Sequence, residues 1–158
     1  MGADVDASDS HGRRPLHCAA ARDAAAAMKA LIKAGANVIA GDGRLCTALH
    51  VTAFLGKTAI AIVLVNNGAE LDMREEDEWT PLHFYCKEES NEIAAMLIER
   101  GADLEAATQN GWTPLHFCSQ HSATKIAAML LEGGTNVDAK GKNDCTPLHL
   151  CSQYWSTV

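Results

Sequence analysis

No apolar run in this 158-residue chain approaches the roughly 20 residues that a membrane span requires. The longest, Ala59 to Val65 (AIAIVLV), has the length of a buried helix segment, so membrane insertion is not expected. The N-terminus, MGADVD, has neither the basic region nor the apolar stretch of a secretory signal. Asp6 stands where a myristoylation site needs Ser or Thr. Metal-chelating spacings are missing too: six cysteines and seven histidines include no C-x-x-C or H-x-x-x-H pair, which leaves no metal ligand to name. Phosphate-cradling loops, nucleophile elbows and paired carboxylates on a common rigid frame are also absent. The expectation is a protein with no catalytic residue and no cofactor.

What the chain does have is the composition of an ordinary folded domain, 47% hydrophobic and 21% charged. Six cysteines would suggest a disulfide framework in a small secreted chain, but Cys18, Cys86, Cys118 and Cys151 fall inside apolar helical stretches, in slots that alternate with Ala. They read as small core residues. Cys118 and Cys151 are 33 residues apart; on stacked helices with axes roughly 8–10 Å apart they could not be bridged without backbone movement. A reducing compartment follows, cytosol or nucleus.

Self-similarity is the strongest signal. Residues 14 to 17 read RPLH, 47 to 50 TALH, and 80 to 83, 113 to 116 and 146 to 149 all TPLH. His17, His50, His83, His116 and His149 are thus each 33 residues from the next. Gly2, Gly35, Gly68, Gly101 and Gly134 keep the same step, opening GAD, GAN, GAE, GAD and GTN. Locally, Thr is an N-cap residue and Pro fits the first helical turn, so a short helix should start at each motif. In the third and fourth units it runs LHFYCK and LHFCSQH and should break at Glu89 and Ser122. A second, amphipathic helix follows, with Ile93, Ala94, Met96, Leu97 and Ile98, then Ile126, Ala127, Met129, Leu130 and Leu131 on its apolar side. The glycine ladder closes it. Polar segments such as DLEAATQNGW, with a turn at Asn110-Gly111, carry a hairpin signal. The histidines are expected to bond the Thr cap and nearby backbone, which leaves them no metal role.

TPLH, a two-helix body, GAD and a hairpin at a 33-residue period resemble the ankyrin-repeat family over essentially the whole chain. The resemblance implies an all-α solenoid of stacked helix-turn-helix repeats with projecting β-hairpin loops. It divides the single array into the tail of a preceding unit (1–8), four full repeats (9–41, 42–74, 75–107, 108–140) and a partial one (141–158). Arg14 is expected to remove the first cap, Ala48 replaces Pro, and Leu45 and Glu78 stand where the family's hairpin has Gly, which predicts distorted or mobile hairpins there. Both ends read as open, as in a piece of a longer array.

The same resemblance implies a concave groove and hairpin tips as the contact surface. Trp79 and Trp112 occupy equivalent positions at the hairpin base, either anchoring a partner or stacking on each other. Beside them lie Lys87, Glu88, Gln120 and His121 at the ends of first helices, and Gln109 and Asn110 at a tip. Charge is uneven, although the net is −7: residues 10 to 44 carry +4, residues 70 to 105 carry −9, and Glu75, Glu76, Asp77 and Glu78 fall at one tip. Their mutual repulsion favours a partner with a basic segment; nucleic acid is disfavoured, and a small-molecule ligand is not expected. The function read from the chain is protein binding. Two alternatives stand beside it: a regulatory or targeting segment of a larger enzyme or channel, and a structural or engineered scaffold without a natural partner. Ser156-Thr157-Val158 weakly matches a C-terminal PDZ ligand.

Overall fold

In each of five TPLH-type turns the histidine ring reaches back to the cap residue three positions before it. In the computed structural model, which describes residues 4–154 and side chains to Cys151, Thr80 N–H donates to His83 Nδ1 at 3.0 Å, and the Thr80 hydroxyl lies 2.9 Å from the same nitrogen. Thr47–His50 and Thr113–His116 repeat this geometry. Arg14 has no hydroxyl, yet its backbone N–H still donates to His17 Nδ1 at 3.0 Å. The expected loss therefore holds for the side-chain half of the cap, since a guanidinium cannot accept, while the ring keeps the other half.

From these turns start the first helices, α1 (Pro15–Ala21), α3 (Ala48–Phe54), α5 (Pro81–Lys87), α7 (Pro114–His121) and α9 (Pro147–Tyr154). Asp23, Gly56, Glu89 and Ser122 each take φ between 53 and 64° and reverse the chain. The second helices follow: α2 (Ala25–Lys33), α4 (Thr58–Asn66), α6 (Asn91–Glu99) and α8 (Thr124–Glu132). They end at Gly35, Gly68, Gly101 and Gly134, with φ of 82 to 90°. A Cβ at these glycines would meet nothing, so backbone conformation and not space demands the residue.

First helices pack on the first helices of adjacent repeats, second on second, and each first helix from α1 to α7 on the second helix of its own repeat. Leu16, Leu49, Leu82 and Leu115, one per repeat, are buried between the layers, with Met28, Ile60, Leu64, Ile93, Leu97, Ile126 and Leu130. Inside the stack Thr52 donates to Leu49 O at 2.7 Å, so Tyr85, 3.0 Å away and fully buried, donates to Thr52. Leu148, the fifth member of the leucine ladder, is 66% exposed, since α9 has no second helix over it among the described residues. Leu131, expected on an apolar face, is exposed at that same end. Cys86 and Cys118 are core residues as expected, but Cys18 is exposed and Cys151 half-buried.

The projecting loops are tight turns. Asp42 N to Cys46 O (2.8 Å), Glu75 N to Trp79 O (3.1 Å) and Thr108 N to Trp112 O (3.0 Å) close three of them. Among the described residues, extended pairing amounts to one isolated bridge, Gly41 with Thr47. Successive tips are tied by backbone bonds at a fixed register: Gly43 N to His11 O, Glu76 N to Arg44 O, Gln109 N to Asp77 O and Lys142 N to Asn110 O, at 2.7 to 3.3 Å. Leu45 and Glu78 keep the left-handed turn with φ of 62°, beside Gly12 and Gly111 at the equivalent positions. The expected distortion is replaced by local strain, because the bonds on either side hold the turn in place.

A candidate partner-binding groove

Five of the eight aromatic residues other than histidine form one continuous track of ring contacts across successive repeats. Phe54 of α3 meets Phe84 of α5 edge-on (ring centroids 6.2 Å apart), Phe84 meets Trp79 (4.7 Å), Trp79 meets Phe117 of α7 (4.4 Å), and Phe117 meets Trp112 (5.2 Å). The two indoles do not stack on each other; Phe117, itself buried, lies between them. Pairs of this kind contribute about 0.5–1.5 kcal/mol each beyond area burial, so the track is part of the fold as well as a surface. Trp112 also lies against Gly141, where a Cβ would come within 2.6 Å of the indole Cδ1.

Two clefts open onto the track and share Trp79 and Lys87. The smaller, about 460 Å³, is apolar toward Val51, Phe54 and Leu55. The larger, about 770 Å³, runs from Trp79 over Phe117 and Trp112 to Gln120, His121 and Lys142. Phe54 is 58% and Leu55 42% exposed, which gives the smaller cleft an apolar rim. Lys87 Nζ sits between the clefts, 6.0 Å from the centre of the Phe54 ring, 5.9 Å from that of Trp79 and 3.8 Å from Glu88.

The acidic tip is assembled differently from the sequence expectation. Glu75 is not a surface residue: it is 6% exposed, and its Oε1 accepts from Asp77 N–H (2.9 Å) and Trp79 N–H (3.1 Å). Asp9 and Asp42 accept from the equivalent N–H groups of their own loops. The Glu75 carboxylate thus completes a turn that the backbone cannot satisfy alone. Glu76 and Asp77 pair with Arg44 of the preceding tip (3.0 and 3.5 Å), and Glu78 pairs with Arg74 (3.3 Å). Gln109 is occupied by the Glu76 carbonyl (3.0 Å), and the Asn110 carbonyl by Lys142 N–H. Of the residues expected at the contact surface, Trp79, Trp112, Lys87, Asn110, Gln120, His121, Glu75 and Asp77 line the clefts; Glu88 is exposed.

His17, His50, His83 and His116 do more than cap their turns. Because Nδ1 accepts the backbone N–H, the proton is on Nε2, which donates across to the next repeat: His17 to Cys46 O, His50 to Trp79 O, His83 to Ala106 and Trp112 O, His116 to Cys145 O, at 2.8 to 3.2 Å. Burial holds His50 and His83 down at about 4, against bonds to carbonyls that pull the other way. His116 is lowered for the same reason. Burial likewise pushes the half-buried Cys46 thiol of the groove up to about 11, with Asp42 adding to the effect. In the core, burial and then the adjacent Cys118 thiol keep Cys86 protonated. All six cysteines are free thiols, and among the described residues no cluster of three or more His, Cys, Asp or Glu could hold a metal ion.

Sequence reasoning missed Phe54, Phe84, Phe117 and Arg44. A signal existed: Val51 and Phe54, Phe84 and Lys87, and Phe117 and Gln120 are spaced i, i+3 and so share one helix face. Ser156 to Val158, the C-terminal tripeptide, lies outside the described residues, as does Gly2.

The sequence model of ankyrin repeats, a unit of three copies, matches residues 1–75 and again residues 49–141. The chain belongs to the ankyrin-repeat family. Such repeats are in general protein–protein interaction modules, and their fold is typically non-catalytic. No curated protein matches the chain. Among the described residues, no helix is long and apolar enough to cross a membrane.

Proposed function

We propose that this chain binds a protein partner through its concave groove, in a cytosolic or nuclear setting, using the repeat units 9–41, 42–74, 75–107 and 108–140 as its frame. The observation that carries the reading is the aromatic track Phe54–Phe84–Trp79–Phe117–Trp112, open to two joined clefts. Aromatic anchors in partly desolvated pockets dominate protein interfaces. Helix packing alone asks for no aromatic at these sites, since Cys18 and Val51 fill the positions of Phe84 and Phe117, and Arg13 and Cys46 those of the tryptophans. The free thiols of Cys86 and Cys118, buried in the core, support a reducing compartment. The tip acids already meet Arg44 and Arg74, so the repulsion that argued for a basic partner segment is largely relieved within the chain.

The test is quantitative affinity capture with the full chain, comparing wild type, Phe54→Ala and a convex-side control, Lys29→Ala. Partners of the groove should be depleted by Phe54→Ala and retained by Lys29→Ala. An identical capture profile for all three proteins would remove the groove from consideration.

A further inference from the structure

We infer that the segment this groove takes carries a carboxylate flanked by aromatic or branched apolar side chains. The inference rests on the groove reading above and adds the chemistry of its occupant. Each carboxylate that lines the clefts is engaged by the chain itself. Asp42 accepts from Arg44 and Cys46 N–H at 2.8 and 3.0 Å, and Glu75 from Asp77 and Trp79 N–H. Asp77 pairs with Arg44, and Asp144 with Lys140 at 3.2 Å. A basic side chain entering the groove would meet acids whose charge is already partly satisfied within the chain, Asp42 and Glu75 through one oxygen each and Asp77 and Asp144 by ion pairs.

Of the lysines and arginines that line the clefts, Arg44 is held by Glu76 and Asp77, which leaves Lys87 and Lys142. Lys87 stands at the junction of the clefts over aromatic rings, with Glu88 at 3.8 Å as its ion pair. Lys142 lines the larger cleft and, among the described residues, makes no ion pair. An arriving carboxylate would form charge-assisted bonds with these ammonium groups, while its apolar neighbours cover Trp79 and Phe117 on one side and Phe54 and Leu55 on the other. The net charge of −7 does not oppose this at contact range, because exposed charges beyond a Debye length of about 8 Å are screened at physiological salt.

A linear 12-residue random peptide library displayed on phage and panned on the full chain tests the inference. Enriched peptides should pair Asp or Glu with Phe, Trp or Leu. Lys87→Glu/Lys142→Glu should bind them roughly tenfold more weakly, the size expected of two partly exposed ion pairs, and replacing the peptide acid by Lys should restore binding to that variant. Peptides that lose affinity for Phe54→Ala but lack an acid, or bind the charge-reversed protein unchanged, would overturn the inference and leave the groove standing. Recovery of no peptide sensitive to Phe54→Ala or Trp79→Ala, in variants whose circular dichroism is native, would overturn the groove reading itself.

Discussion

Mild acid should unfasten this solenoid between its repeats, because the bonds that cross from one to the next include neutral histidines. His50 and His83 are held at about 4, whereas an unfolded histidine titrates near 6.5. Below 6.5 the unfolded chain therefore binds protons that the folded chain refuses, and stability falls as pH falls. The contribution is complete above about 6.5 and disappears as pH drops toward 4. Between pH 7 and 5 each ring should remove about 2 kcal/mol, roughly 4 kcal/mol together, against a total of about 5–15 kcal/mol for an ordinary domain. The structural cause is specific: protonation places a hydrogen on Nδ1 facing Thr47 or Thr80 N–H, donor against donor. Asp9, the carboxylate held lowest at about 2 by its bond to Arg13, acts below this window, since its contribution is lost only as pH falls from about 4 toward 2. Urea titrations followed by far-UV circular dichroism at constant ionic strength, from pH 7 to 5, measure the slope. His83→Asn keeps an acceptor for Thr80 N–H but cannot titrate, so its slope should be shallower than that of wild type by the contribution of His83, about 2 kcal/mol between pH 7 and 5, whatever its starting stability. A stability that is flat to within about 1 kcal/mol across the window, or an undiminished slope in His50→Asn/His83→Asn, would refute the reasoning.

Other substitutions probe single features. Leu45→Gly should stabilise by about 1 kcal/mol, because it removes left-handed strain from an exposed side chain; a lower urea midpoint would show that Leu45 makes a contact worth more than the strain. Glu75→Ala should cost about 1–3 kcal/mol by leaving two loop N–H groups without their acceptor, while Glu75→Gln, which retains a carbonyl oxygen, should cost markedly less. Equal losses in the pair would mean that charge and not acceptance matters. Phe117→Ala should cost about 3–5 kcal/mol as a buried aromatic truncation, with red-shifted tryptophan fluorescence as both indoles lose their shared neighbour; unchanged emission would contradict the placement of that ring.

The parts of this fold that were legible in the sequence are those in which one residue type recurs because one backbone geometry recurs. His at each 33-residue step, Gly at each second-helix end and the breaks at Glu89 and Ser122 all mark local conformations that few residues can meet. The core face of α6 was legible through its period, with Ile93, Ala94 and Leu97 buried. What stayed hidden was function served by different residue types at one position. Asp9, Asp42, Glu75 and Thr108 all accept from their own loop, but read along the chain Glu75 joins a run of four acids and looks like surface charge. Arg44 was counted as a basic charge of the first third, although it serves the next tip across 32 and 33 residues. Such pairings belong to the stack, and no window along the sequence contains them.

That difference also explains where the groove's individuality comes from. The helix faces turned toward neighbours keep Leu, Ala and Ile from repeat to repeat, because a volume change there is felt by two helix layers. The position three residues after the ladder histidine's following residue is under no such constraint: it reads Ala21, Phe54, Lys87 and Gln120. The loop-base position reads Arg13, Cys46, Trp79, Trp112 and Cys145. Both series contribute to the two joined clefts, where Phe54, Trp79, Lys87, Trp112 and Gln120 are gathered by stacking alone. The frame therefore fixes where these side chains point and leaves their chemistry to vary, so that an apolar end, an aromatic floor and a cationic centre can be written into one groove without disturbing the repeats that carry it.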